Sequence, residues 1–592
     1  MRTIHKSLWL SVCLIVLSAG AAHAFQFKAS ESISGSLDTQ FTLGAGIRMV
    51  NQNPNLIGDP TVNSGANTGF SSNGDDGNLN YNKHDLYATY LKITPELLLK
   101  FPEDFKFMVR ATGLYDFKAT DTQRTELSET AKQQVARDIL LLDLWASKDL
   151  NIGSQRARVR FGYQVISWGE SIFGIGGINS TNSLDFEKLS IPGTQLKEAV
   201  LPAPILSFAS GLGRGFNIEA YYQFHWDRNR LPPVGTYFSV ADILGKGRQP
   251  LFINVDPTSR GFLNFGGLDP AADPSQANTF ALPIANDITP KNSGQYGVAM
   301  HYKPPGVSLD LGFYFMNYHD KMPVLSALAD ATVQWSYLED RKLYGISANL
   351  PVGNWAVGWE LSYRPKDAVA LTGCYNANGN GLLDSITNAP TAAVDCPMYI
   401  DQRKYQMHLT GILSLTPGDH GWFLDLLRAD TATFTGEAVG IRYPDVSPNK
   451  RYTRNIGGVQ VLQAPAAGYA FWKNGSVTAD VGAGPQTYDT IAAVGDANSL
   501  GITADFNWAY DNKILKGWTV IPGITYFRAV SGNTPTLTAN YLQGAQSMNT
   551  YVLFNQNAPT RWQAGLNYTN YWGTNQLLGD RDFIGGFVTR NF

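Results

Sequence analysis

Residues whose types and spacing could do chemistry are few in this chain of 592 residues with eight histidines and three cysteines. No G-x-S-x-G elbow presents a serine nucleophile. No G-x-x-x-x-G-K-[ST] loop cradles a phosphate, and no H-E-x-x-H helix holds zinc. Past the first 24 residues six histidines remain, at 84, 225, 301, 319, 408 and 420, and none has metal-ligand spacing. Hydrolysis would need His225 or His301 beside a serine; an isolated histidine on a polar strand face is the stronger reading of each. Asn376-x-Asn378-x-Asn380-Gly381 with Asp384 faintly resembles a calcium loop. It lacks the several carboxylates and the twelfth-position glutamate of strong sites, so an Asn/Gly turn is favoured. The stretch Asn73–Asn82, with Asp75 and Asp76, is weighed the same way. The expectation is a non-enzyme with no catalytic residue, no cofactor and no metal.

The cysteines speak of compartment instead. Arg2, His5 and Lys6 precede an apolar run from Leu8 to Ser18, and Ala22-His23-Ala24 is an A-x-A cleavage site. Residues 1–24 therefore read as a secretory signal peptide, with a mature chain from Phe25. Cys13 leaves with it. Cys374 and Cys396 remain as a close pair in an exported chain, which reads as a disulfide. Closing such a loop stabilises by about 3 kcal/mol in the chain-entropy model.

Composition excludes several classes. Only 16% of residues are charged, against roughly 25% in soluble proteins. The net charge of −3 leaves no basic footprint for nucleic acid. A 44% hydrophobic content is unlike a disordered chain. No mature segment carries the 18 or so continuous apolar residues of a membrane helix. The apolar residues alternate instead. In Trp355–Arg364, the side chains of Trp355, Val357, Trp359, Leu361 and Tyr363 share one face, with Glu360, Ser362 and Arg364 on the other. Phe216–Trp226, Leu500–Tyr510 and Arg561–Trp572 repeat the pattern. Alternation over about 10 residues, with aromatic ends, is that of a transmembrane β-strand.

Eighteen such segments can be counted, from 33–49 to 581–592, within one domain spanning 25–592. The alternation of 431–443 and 545–556 is blurred, so the expectation is an all-β transmembrane antiparallel barrel of 16–18 strands. Short connections (Pro102–Asp104, Pro304–Gly306, Pro351–Gly353) alternate with long ones (50–82, 165–202, 227–292, 365–401, 444–498). Short periplasmic turns and long extracellular loops are the rule for such barrels. The terminal Phe592 fits a closing strand, although Phe587 is out of phase and Arg590 occupies an apolar position. Inward faces carry Lys106, Arg110, Arg158, Arg160 and Lys404 against Glu219, Asp310, Glu360 and Asp505, as a polar path or as salt bridges bracing the wall.

One long connection does not look solvated. Between Val165 and Pro202, seven apolar residues (Val165, Ile166, Trp168, Ile172, Phe173, Ile175, Ile178) accompany a single charge, Glu170, in fourteen positions. In water they would form a large apolar patch. The segment is expected to fold into the lumen, as a constriction or an immobile plug. Trp168 and Phe173 would face the path, and Glu170 would pair with Arg158 or Arg160 or gate polar solutes.

Gly162–Phe173 (GYQVISWGESIF), Gly177–Asn182 (GINSTN), Pro192–Pro202 (PGTQLKEAVLP), Pro233–Ser239 (PVGTYFS) and Asn567–Trp572 (NYTNYW) with Asp580–Phe583 (DRDF) resemble one family. It is domain of unknown function 1302, a set of proteobacterial outer-membrane proteins, and the resemblance spans nearly the whole mature chain. It implies the outer membrane of a Gram-negative bacterium, with membrane lipid and the barrel assembly machinery as partners. It also implies traffic of hydrophobic, lipid- or steroid-like cargo beside a periplasmic partner and an RND-type inner-membrane transporter. The leading expectation is a substrate-selective channel; a general diffusion porin and a non-transporting surface barrel are the alternatives.

Overall fold

The structure is a computed structural model that describes residues 25–57, 75–252, 281–330, 332–375, 394–449, 452–467, 475–480, 485–490, 493–558 and 561–592. Residues 1–24, the expected signal peptide, lie outside the described residues. So do the Asn376–Asp384 turn and the side chain of Cys374, hence its pairing; Cys396 is buried in a small outer sheet, opposite Ala327.

The alternating segments become eighteen antiparallel strands closed into a barrel. The first nine are β1 (Ile33–Arg48), β2 (Leu86–Lys100), β3 (Phe105–Asp116), β4 (Arg137–Ile152), β5 (Gln155–Gln164), β6 (Ala203–Gly213), β7 (Phe216–Gln223), β8 (Gln295–Tyr302) and β9 (Asp310–Tyr318). The rest are β10 (Arg341–Val352), β11 (Trp355–Tyr375), β12 (Tyr399–Leu415), β13 (Thr431–Arg442), β14 (Asn498–Asp511), β15 (Trp518–Ser531), β16 (Gln546–Gln556), β17 (Trp562–Trp572) and β18 (Phe583–Asn591). Each pairs with its sequence neighbours, and β18 closes on β1 from Asn591↔Gln40 to Phe583↔Arg48. A short strand, Phe25–Ser30, pairs with the start of β1 (Phe25↔Leu37) just beyond Phe592, which bonds Thr39. Phe25 and Phe592 thus lie in line along one edge of β1.

Closure satisfies every ladder group without an open edge, the condition for a sheet to cross lipid. The outward faces are exposed and apolar: Val298, Phe313, Ile346, Leu409 and Leu566 all point away from the bore. Aromatic rings mark the short-turn rim, with Trp355 against Phe434 and Phe506 against Trp508. The protein is an outer-membrane β-barrel. Arg590 points outward at this rim, its guanidinium over the Trp562 and Phe592 rings, where a charged head reaches the interface.

The two blurred segments are full strands, β13 between β12 and β14, and β16 between β15 and β17. The pattern of β13 is blurred because its inward side is apolar too. Val439 and Ile441 of β13 are each 2% exposed, covered from inside. The inserted segment described below supplies part of the cover, through Gly174 against Val439. One connection on the short-turn side is not a turn. Pro417–Leu427 is a helix, begun by Pro417 and closed by Arg428 in the left-handed region (φ 54°). Its Phe423, Leu424 and Leu427 pack on outward Leu415, Phe506 and Trp508.

The barrel should fractionate with the outer membrane, start at Phe25 by N-terminal sequencing, and migrate faster unheated than boiled on a detergent gel. Soluble periplasmic recovery with a helical circular-dichroism spectrum would contradict the fold.

Candidate functional site: a strap across the lumen

The connection between β5 and β6 enters the bore, as its apolar content requires. Backbone inside a barrel needs partners for its N–H and C=O groups, and the wall supplies them by side chain. Glu360 of β11 accepts the Glu170 N–H at Oε2 (2.6 Å) and the Ile178 N–H at Oε1 (2.9 Å). Glu437 of β13 accepts the N–H groups of Phe173 and Gly174 at Oε2. His408 of β12 stands between them, its Nδ1 2.6 Å from Glu437 Oε1 and its Nε2 3.8 Å from Glu360 Oε1. Gln406 donates to His408 Nε2 at 2.9 Å, so the proton that reaches Glu437 sits on Nδ1. Arg364 donates to the carbonyls of Gly176 (2.6 Å) and Gly177 (2.9 Å) and to Ser180 Oγ (2.8 Å). Glu360, His408 and Arg364 are at most 3% exposed.

The glycines serve this contact. Gly169 turns the chain at φ +89°, where a side chain is strained. A Cβ at Gly177 would fall 2.0 Å from Glu360 Oε1 and 2.7 Å from His408 Nε2. The second half of the segment is held on another wall. Tyr90 of β2 donates to the Pro192 carbonyl, and Lys92 donates to the Gly193 carbonyl (3.2 Å) and pairs with Glu198. Thr94 donates to Glu198 Oε1 at 3.0 Å. Strand β2 is nine strands from β11 in a ring of eighteen, so the anchors face each other and the segment is a strap across the bore.

Two cavities flank the strap. One of about 610 Å³ is a vestibule among the outer loops, lined by Phe173, Leu231, Phe238, Leu325, Met398 and Tyr541 and, on one edge, by Asp320, Lys321, Arg364, Asp367 and Lys404. The other, of about 520 Å³, runs between strap residues Leu189–Gly193 and strands β14 to β18, past Asp505, Thr525, Asn549, Tyr551, Asn567 and Phe587. Ser190 lines both. Burial lowers the Lys321 ammonium to about 8, with Asp320 opposing, and raises the Asp320 carboxyl to about 6. Lys321 Nζ contacts only the Ser180 and His319 carbonyls at 3.5 Å and the Tyr318 ring at 5.6 Å, among the described residues.

The residues singled out in the sequence separate. Phe173 lines the vestibule. Trp168 faces no path: it is 6% exposed, packs on Tyr221 and Tyr314, and donates from Nε1 to Glu219 at 2.8 Å. Glu170 does not meet Arg158 or Arg160. The Glu360 contact holds it beside β10, where Asn349 donates to it at 2.7 Å. Arg158 pairs with Asp149 at 2.6 Å, and Arg160 lies over the Trp145 ring at 4.2 Å. Lys106 also pairs with Asp149, and Arg110 with Asp143, so this wall is braced by ion pairs. His301 faces Asp310 and His225 faces Asp227, neither a serine. The strap residues Ser190–Gly193 beside the second cavity and the holders Glu437 and His408 were not singled out as site residues. The PGT turn and a lone glutamate on a strand whose other inward residues are uncharged were their only signals.

A closed barrel with an inserted connection and a cavity on either side of it is a porin-like outer-membrane protein. The chain belongs to the family described as protein of unknown function (DUF1302), whose profile matches residues 6–592. No curated protein matches the chain. Solved structures similar to it include Pseudomonas aeruginosa OccK2 (OpdF) in complex with glucuronate, at 8% identity, TM-score 0.37, covering 94% of this chain and 97% of that one. Acinetobacter baumannii OccAB1 is similar at 10% identity, TM-score 0.40, covering 97% and 99%. Likeness at this level carries no argument, and the barrel rests on its own strand register.

Replacing Glu360 by Ala strips two buried N–H groups of their acceptor, at about 1–3 kcal/mol each, without touching the ladder. The variant should keep its heat-modifiable barrel and give larger, noisier single-channel currents in planar bilayers. Wild-type currents from a folded Glu360→Ala barrel would show that the strap does not depend on this contact.

Proposed function

We propose that this barrel passes a hydrophobic or amphipathic compound, lipid- or steroid-like, through the outer membrane. The observation that carries the proposal is the vestibule, an apolar wall with a charged edge at one side. A compound with an apolar body and a polar head matches that division. Below it lies the second cavity, which shares Ser190 with the vestibule and runs along β14 to β18 past Tyr551, Phe587, Asn549 and Asp505; the proposed path joins the two. In this proposal no chemical step occurs, and the cargo is exchanged at the short-turn rim with a periplasmic partner and an RND-type inner-membrane transporter. A general diffusion porin is the competing reading, favoured by the polar side of the lower passage. Liposome flux separates the two. Leu325→Asp and Met398→Asp should lower flux of a steroid carboxylate several-fold and leave that of a small sugar unchanged. Equal loss of both, or of neither, would remove the vestibule from the proposal.

The charged edge adds a pH dependence. Lys321, at about 8, is cationic below that pH and neutral above it. Binding of an amphipathic carboxylate should weaken as pH rises through about 8, and Lys321→Met should abolish the dependence. A flat binding curve for the wild type, by fluorescence titration with a fatty-acid probe, would exclude Lys321 as a head-group contact.

A further inference from the structure

Away from the strap, two outer loops meet through oxygen atoms. Asp75 and Asp76 follow β1, and Asp242 lies in the connection between β7 and β8. One carboxylate oxygen from each lies within 4.8 Å of the others. Asp75 is 3% and Asp242 1% exposed. The segments touch because residue 77 is glycine. A Cβ there would sit 2.3 Å from the Thr236 carbonyl oxygen and 2.8 Å from that of Ser239. The Asp76 N–H donates to Asp242 Oδ2 at 3.3 Å, and Gln249 donates to Asp76.

A second observation points to something beyond the cluster. Asp242 Oδ1 is buried and has no hydrogen-bond partner among the described residues. A buried acceptor of this kind is expensive unless a donor or cation completes it. Of the cations that act on the cluster, Arg124 acts on Asp76, and Arg581, which acts on Asp242, is committed to Asp580 at 3.5 Å and to the Tyr237 and Ser239 carbonyls. Three carboxylates from two segments form an all-oxygen donor set. A hard cation of flexible coordination suits it better than a transition metal, and calcium suits it better than strictly octahedral magnesium.

We infer that Asp75, Asp76 and Asp242 form a calcium site that fastens the loop after β1 to the loop after β7 on the extracellular side. Affinity should be that of extracellular calcium modules, about 10⁻⁴–10⁻³ M, because only three carboxylates contribute. The site is independent of the cargo and is tested without transport.

The full mature barrel, purified in detergent and stripped with EDTA, is titrated with calcium chloride by calorimetry and thermal unfolding. One calcium should bind, and the melting temperature should rise with calcium concentration as linkage requires. Magnesium at the same concentration should give a smaller shift. Asp242→Asn should weaken calcium binding at least tenfold and remove the shift, while its gel mobility confirms a folded barrel. If that variant does not fold, Asp76→Asn carries the same expectation. No heat and no shift at ~10 mM calcium, or an undiminished response in the variant, would overturn the site. An EDTA-treated Asp242→Asn barrel more stable than a calcium-insensitive wild type would show that the aspartates share a proton instead.

Discussion

Glu360 and Glu437 hold the inserted segment by its own backbone, and the interior of the barrel is organised around that contact. A peptide chain led into a bore gives up water and must find acceptors for its N–H groups and donors for its carbonyls. Four N–H groups go to two buried carboxylates, and two carbonyls go to Arg364. His408 is bonded to Glu437 and lies 3.8 Å from Glu360, so the carboxylates are held at the spacing the segment needs. Such contacts read no side chain, so they demand only that the segment come close. That demand explains Gly174 and Gly177, where a Cβ would strike His408 and Glu360.

Because the second anchor, at Tyr90 and Lys92, lies across the ring, the strap divides the lumen instead of lining it. The sector toward β13 is filled, and the sector along β14 to β18 stays open. The middle of the strap, Leu189–Gly193, borders that open sector. Phe587 faces inward there, and its ring lies where a Cβ on Gly193 would come within 2.6 Å. The residue that looked out of phase on the closing strand is a lumen residue that bounds the passage. The apolar first half of the strap serves anchorage, with Trp168 and Ile178 buried against the wall, and the less conspicuous second half bounds the path.

Much of the barrel was legible from periodicity. Lipid on one side and polar contacts on the other impose a period of two over each strand. Where the inner side is covered by the strap or the outer loops, as at Val439 and Ile441, that contrast fades and the strand is harder to recognise. Insertion of 165–202 was legible as well, because an apolar run between polar loops has nowhere else to go. The pairing of Glu170 with Arg158 or Arg160 was not, since it depends on which wall the strap reaches.

The sequence by itself determined the transmembrane barrel, the alternation of its short and long connections and the burial of one loop. These follow from hydrophobic contrast between near neighbours along the chain, which a linear pattern records. Tertiary structure alone decided that Glu360, His408 and Glu437 converge, that Lys92 receives the far end of the strap, and that Asp75 and Asp76 meet Asp242. Those contacts join residues tens to hundreds of positions apart. Ring closure and the path of the strap bring them together, and no local periodicity encodes either.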